Sequence, residues 1–226
     1  MSLPEGEPWT DLARNVPGSG ILHEAARRRQ TEGAGSDRSW RVGADGELRV
    51  AEVLGELTGV SRWDRLRGRG PRWRVLHSVP LTDRHGRVRG DVDHVLIGPP
   101  GATTINTKHH RAGRLALDGE ELVVNGWPTQ YVAKARAEAD RAAAALRPAL
   151  TEIGNPALAA QLIVRPLIAV VGGRLLIERW APGVTVVMTR QLVHTLVSMP
   201  AVLDADEVAQ VWEVARRSTT WTTRDR

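Results

Sequence analysis

Short strand-like runs set between helical periodicities predict an α/β fold bordering on α+β, and three observations carry that expectation. From Asp45, the residues Leu48, Val50, Ala51, Val53, Leu54 and Leu57 recur at helical spacing, with Gly59 as a stop. Between Trp73 and Lys108 lie three apolar runs, separated by the breakers Asp83-Arg84-His85-Gly86 and Gly98-Pro99-Pro100-Gly101. An alanine-rich stretch from about Pro128 to Leu146 then reads as a long helix stopped near Pro148. Strands flanked by separate helices imply a layered domain with a central mixed sheet.

Taken in order, residues 1–38 mix Pro, Gly and charge with the Arg-rich piece His23 to Arg29, and read as a mobile or peripheral extension. The helix from Asp45 follows. Ser61 to Arg74 places six arginines around Trp63 and Trp73 with glycines between, which reads as a basic loop able to grip phosphates or, equally, to lie solvated. Strands are expected over Trp73 to Leu81, Val88 to Ile97 and Ala102 to Lys108, then at Arg114 to Leu117 and Glu121 to Val124. Beyond the long helix, the sheet is extended by Leu167 to Val171, Leu175 to Ile177 and Val184 to Val187. Helices near Arg190 to Val197 and Ala205 to Arg217 close the chain, with Trp212 and Trp221 packing or capping the last one.

The composition narrows the function classes. A chain of 226 residues supports one main core, and the absence of cysteine excludes disulfides and thiolate metal sites. The opening residues have neither a basic start nor an apolar centre, and no run approaches the roughly 18 apolar residues of a membrane span. A cytoplasmic, non-membrane protein is expected. The net charge of +5 attracts polyanions without demanding them. Nearly all basic residues are arginine, and Lys108 and Lys134 are the only lysines. A compact ammonium touches a single oxygen or water in a way that a planar guanidinium does not, which singles out Lys108.

Chemistry concentrates on the second hairpin. If Gly98 to Gly101 is a symmetric connection, Ile97 faces Ala102, Val95 faces Thr104, Asp93 faces Asn106 and Asp91 faces Lys108. Residues two apart share a face, so Asp91, Asp93, Asn106 and Lys108 project together. By spacing alone, Asp91 opposite Lys108 is better read as an ordinary cross-strand ion pair. His94 falls on the other face as a core histidine, at most one of His109 and His110 joins the site, and Glu138-Ala139-Asp140-Arg141 reads as the exposed face of the long helix.

The wider pattern shifts this balance. Gly43-Ala44-Asp45-Gly46-Glu47 opening a helix, Gly90-Asp91-Val92-Asp93-His94-Val95-Leu96-Ile97-Gly98-Pro99, Gly101, Ile105-Asn106-Thr107-Lys108, Gly113 and Asn125-Gly126-Trp127-Pro128-Thr129-Gln130 together resemble the nuclease-related domain family. The likeness covers about Gly43 to Leu146, and more loosely the strands to Val187. It implies a restriction-endonuclease-like core spanning residues 39–190, followed by a C-terminal helical segment at 191–226.

By that resemblance Glu47 is the helix acid, Asp93 the strand acid, Lys108 the lysine and Gln130 the glutamine ahead of the long helix. Asn106 stands where the family usually has glutamate. The resemblance implies Mg²⁺ (or Mn²⁺) held by Glu47, Asp93, Asn106 and the Thr107 carbonyl, with catalysis by Glu47, Asp93, Asn106, Lys108 and Gln130. The implied partner is nucleic acid, chiefly DNA, and a homodimer is compatible with cutting both strands. Asparagine offers a carbonyl oxygen but no negative charge. Three functions are therefore open at this point: a metal-dependent nuclease, a nucleic-acid-binding module that has lost cleavage, and a protein-interaction domain.

Overall fold

The computed structural model describes residues 8–18, 38–59, 70–83 and 85–222. The Arg-rich piece at 23–29 and the basic loop over 61–69 lie outside the described residues. Helix α1 (Arg38–Thr58) begins ahead of the expected start at Asp45. The apolar periodicity that marks its core face begins only there, and Glu47 consequently sits inside the helix rather than at its mouth.

Three strands follow as expected: β1 (Arg74–Thr82), β2 (Val88–Gly98) and β3 (Gly101–His109). They form an antiparallel set with β2 in the middle. The turn between β2 and β3 pairs Gly98 with Gly101. Both glycines are required by contact. A Cβ on Gly98 would stand 2.2 Å from the Trp73 ring, and one on Gly101, at φ +109°, would stand 2.4 Å from the Ile163 carbonyl oxygen.

The single extended sheet expected from the sequence is two sheets. β7 (Val164–Val171) runs parallel to β3 and β9 (Thr185–Met188) parallel to β7, giving the order β1-β2-β3-β7-β9. A second sheet has the order β6-β5-β4-β8, built from β4 (Arg114–Asp118), β5 (Glu121–Val124), β6 (Trp127–Thr129) and β8 (Arg174–Arg179). Strand β8 belongs to it because the tight turn at Gly172 and Gly173 carries the chain from β7 onto β4. A Cβ on Gly173 would meet the Gly113 carbonyl oxygen at 2.4 Å, so this crossing closes only around glycine.

Helices cover both faces of the larger sheet, the α/β arrangement that was expected. On one face α1 and α4 (Leu192–Val197) bury Val50, Leu54, Leu192 and Leu196 against Leu96, Ile105 and Leu167. On the other, α2 (Tyr131–Glu152), α3 (Pro156–Gln161) and α5 (Ala205–Ala215) bury Leu146, Leu150, Leu158, Val211 and Trp212 against Leu76, Val95 and Ile97. Helix α2 does not stop at Pro148. A proline inside a helix costs about 3 kcal/mol, but Leu146 and Leu150 on either side of it are both fully buried, and that packing carries the helix to Glu152.

The first and last described segments join the same core. Leu12 is buried, the Arg216 guanidinium pairs with the Asp11 carboxylate, and Thr10 N–H donates to Ser218 Oγ at 2.8 Å. Residues 8–18 thus pack on this core. Trp221 is buried, and its indole N–H donates to the Ala215 carbonyl at the end of α5 at 2.7 Å. Among the described residues, no helix is long and apolar enough to cross a membrane.

Candidate active site

The site forms where β2 leaves β3. Their ladder follows the expected register from Gly98↔Gly101 to His94↔Ile105 and ends there. Asp93 and Asn106 therefore do not pair through the backbone. Instead Asp93 Oδ2 accepts the Thr107 backbone N–H at 2.6 Å. A charged acceptor at this distance is a strong bond, and it fixes the Asp93 carboxylate against β3.

Alternation along β3 sends neighbouring side chains to opposite faces. Thr107 and His109 turn toward α1, where Gly46 lies so close that a Cβ would stand 2.8 Å from His109 Cβ and 3.2 Å from Thr107 Cγ2. His109 Nδ1 donates to the Val42 carbonyl at 2.7 Å, which ties the strand to the first turns of that helix. Gly46 and His109 together set the height of α1 and so place Glu47. Asn106 and Lys108 turn the other way, toward α2. Lys108 Nζ donates to the Thr107 carbonyl at 3.2 Å and lies 5.0 Å from the centre of the Tyr131 ring, a cation–π contact.

Glu47 is buried, at 2% exposure, although among the described residues it bears no salt bridge. Its Oε2 accepts the Gly18 backbone N–H at 2.9 Å, whereas Oε1 is buried with no partner among the described residues. Burial first, then the Asp93 and Asp91 charges, push its carboxyl up to about 8; the Gly18 N–H and Lys108 pull it down. Asp93 is raised to about 6 by burial, with Asp91 and Glu138 adding to the effect and Lys108 and the Thr107 N–H opposing it. Burial also raises Asp91. These carboxyls share one neighbourhood with one lysine.

One member was misplaced by sequence reasoning. Glu138 is not on an exposed helix face; it is buried on α2, and both of its carboxylate oxygens accept the Asn106 side-chain N–H₂, at 2.9 and 2.8 Å. The signal was present: Ala135, Glu138, Ala139 and Ala142 follow the i, i+3, i+4, i+7 stripe of a buried face. Alanine on both faces hid it. Burial raises the Glu138 carboxyl, opposed by Asn106 and Lys108.

Other candidates separate cleanly. Gln130 is exposed at the N-terminal end of α2, without a side-chain cap, and among the described residues it makes no hydrogen bond to Glu47, Asp93, Asn106 or Lys108. Asp91 and Lys108 form no direct ion pair, because β2 has left β3 before reaching Asp91. His94 is fully buried on the opposite face, with its Nδ1 2.8 Å from His77 Nδ1. One proton serves that contact, so the accepting ring is neutral, and burial lowers His94 to about 3 and His77 to about 4. His110 stacks beside Tyr131, with ring centres 6.1 Å apart.

Two observations test whether these residues suit a divalent cation. Glu47 Oε1 and Asn106 Oδ1 are buried oxygens without partners among the described residues, and the surrounding donors are carboxylates and carbonyls, the hard ligands Mg²⁺ and Mn²⁺ prefer. The chemistry fits. Among the described residues, however, no three Asp, Glu or His side chains stand ready to enclose a metal by themselves. A cation here would rest on fewer carboxylates and on neutral oxygens.

A helix acid brought to a strand acid and one lysine on two inner strands of a mixed sheet defines the class as a nuclease-like α/β protein. The family model of the nuclease-related domain matches residues 42–171, more than half of the chain, and the protein belongs to that family. Neither the curated proteins nor the solved structures contain a match to the chain.

Proposed function

We propose that the protein is a metal-dependent nuclease that hydrolyses phosphodiester bonds, with DNA as substrate. The observation that supports it best is the grouping of Glu47, Asp93 and Lys108. A buried carboxyl and a half-buried one, both raised by desolvation and by neighbouring carboxylates, are an expensive arrangement that a divalent cation would stabilise. Glu47, Asp93, Asn106 Oδ1 and the Thr107 carbonyl would hold that cation. Once bound, it would polarise a phosphate oxygen and acidify a water.

The chain's own residues supply the rest. Lys108, held by the Thr107 carbonyl and the Tyr131 ring, offers a compact positive charge to the oxygen on which charge develops. Asp93, fixed by the Thr107 N–H, keeps a second carboxylate oxygen available at the site. Glu47, buried on α1, presents Oε1 without a competing partner among the described residues.

The absence of a ready three-carboxylate cluster among the described residues favours a second reading, a nucleic-acid-binding module without cleavage. One assay separates the two. The purified protein is incubated with single- and double-stranded DNA in Mg²⁺, Mn²⁺ or chelator, beside Lys108→Ala. Cation-dependent cutting that vanishes in Lys108→Ala supports the enzyme. Salt-sensitive binding without cutting supports the module.

A further inference from the structure

Asn106 is the neutral side chain of the site, and its environment is unusual. Its N–H₂ group faces both oxygens of Glu138 at 2.9 and 2.8 Å. A carboxylate only accepts, so it holds the amide with nitrogen toward α2 and oxygen away from it. That oxygen, Oδ1, is buried and has no hydrogen-bond partner among the described residues, although Asn106 is only 7% exposed. Glu138 itself is 9% exposed and forms no ion pair among the described residues. A buried carboxylate thus spends both oxygens on one neutral amide, whose other end is left unsatisfied.

We infer that Asn106 and Glu138 act as one divided acid: the Asn106 carbonyl oxygen touches the divalent cation, while Glu138 behind it supplies the negative charge and fixes the amide. Hydrogen bonding to a carboxylate shifts electron density toward the amide oxygen and strengthens it as a ligand. The charge lies one residue further from the cation than a direct ligand would place it. Glu138 is therefore a positioning residue, acting through Asn106. This inference rests on the cation site proposed above, not on cleavage.

Glu138→Gln gives the decisive comparison, because glutamine keeps the size of the side chain and can still accept the Asn106 N–H₂ through its amide oxygen. A merely structural role predicts no change in cation binding. The divided acid predicts that Mn²⁺ affinity of the full chain, measured by calorimetry, falls about 10–100-fold, while thermal stability without metal does not fall. The double variant Asn106→Glu/Glu138→Gln reverses donor and acceptor, moves the charge to position 106 and should restore affinity to near the parent value.

Parent-like Mn²⁺ affinity in Glu138→Gln overturns the inference, as does a double variant no tighter than the single. If Glu138→Gln does not fold, the double variant decides alone: near-parent affinity supports the divided acid and lost affinity overturns it. A parent that binds no Mn²⁺ overturns both the cation site and the inference. A parent that binds Mn²⁺ but cuts no DNA ends the nuclease reading, and Glu138→Gln still decides the inference.

Discussion

Asp93 Oδ2 accepts the Thr107 backbone N–H at 2.6 Å, beyond the last ladder pair between β2 and β3. A side chain takes the place of a strand neighbour there. The same bond that ends the ladder orients the strand acid beside Lys108 and beside the helix that carries Glu47.

Replacing Asp93 by alanine removes both a charge and the acceptor for Thr107. Nicking should fall to background. Asn106→Ala should be less damaging, since water replaces a neutral ligand more readily than a carboxylate. Nicking rates at fixed Mg²⁺, with folding checked by circular dichroism, test this order; equal rates in both variants and the parent would place the activity elsewhere.

Lys108→Arg should lower the rate by about 10²-fold or more, comparable to losing a preorganised donor to developing charge. A planar guanidinium is too broad for the place between the Thr107 carbonyl and the Tyr131 ring. Single-turnover rates against the parent at saturating Mg²⁺ make the comparison, and an arginine variant as fast as the parent would remove Lys108 from the chemistry.

The pH response has a defined sign. Glu47 is raised from 4.5 to about 8 in the folded protein, so the native state holds a proton that the unfolded chain has lost. Its contribution to stability is fully present below about pH 4.5 and is lost as pH rises through about 8. Asp93 adds the same trend between 3.8 and about 6. Metal-free melting temperature should therefore fall across this range, and Glu47→Gln should flatten the slope. Cation binding requires the deprotonated forms, so Mn²⁺ affinity should rise over the same pH range with proton release. A melting profile unchanged by Glu47→Gln would contradict the burial of that carboxyl.

Gly46→Ala tests the packing of α1 on β3. Alanine favours a helix over glycine by about 1 kcal/mol, but the new Cβ would stand 2.8 Å from His109 Cβ. The clash should prevail, with a net loss of about 1–3 kcal/mol and weaker cation binding as Glu47 shifts. Urea titration measures the first effect and calorimetry the second; a stabilised variant would mean that the helix slides freely over His109.

Binding to DNA, measured by fluorescence anisotropy, should weaken steeply with salt because arginine and lysine contacts to phosphate release counterions. A flat salt response would favour a partner other than nucleic acid.

The local pattern of this chain determined most of its elements. Periodicity marked the core face of α1, and alternation with glycine–proline breakers marked β1 to β3, including the register from Gly98 and Gly101 to His94 and Ile105. Strand parity placed Asn106 and Lys108 on one face and His94 on the other. The resemblance, rather than periodicity, drew Glu47 to them. Tertiary structure decided what local pattern does not encode. Packing of Leu146 and Leu150 carried α2 through Pro148, and the glycine crossing after β7 moved β8 into a second sheet. The docking of residues 8–18 brought the Gly18 N–H to Glu47. Most of all, it decided the state of Asn106: sequence shows a neutral residue beside an acid and a lysine, whereas its Glu138 partner lies 32 positions away on another helix. Periodicity records which face of an element is buried; it does not record which buried polar groups meet, because that depends on how separate elements pack.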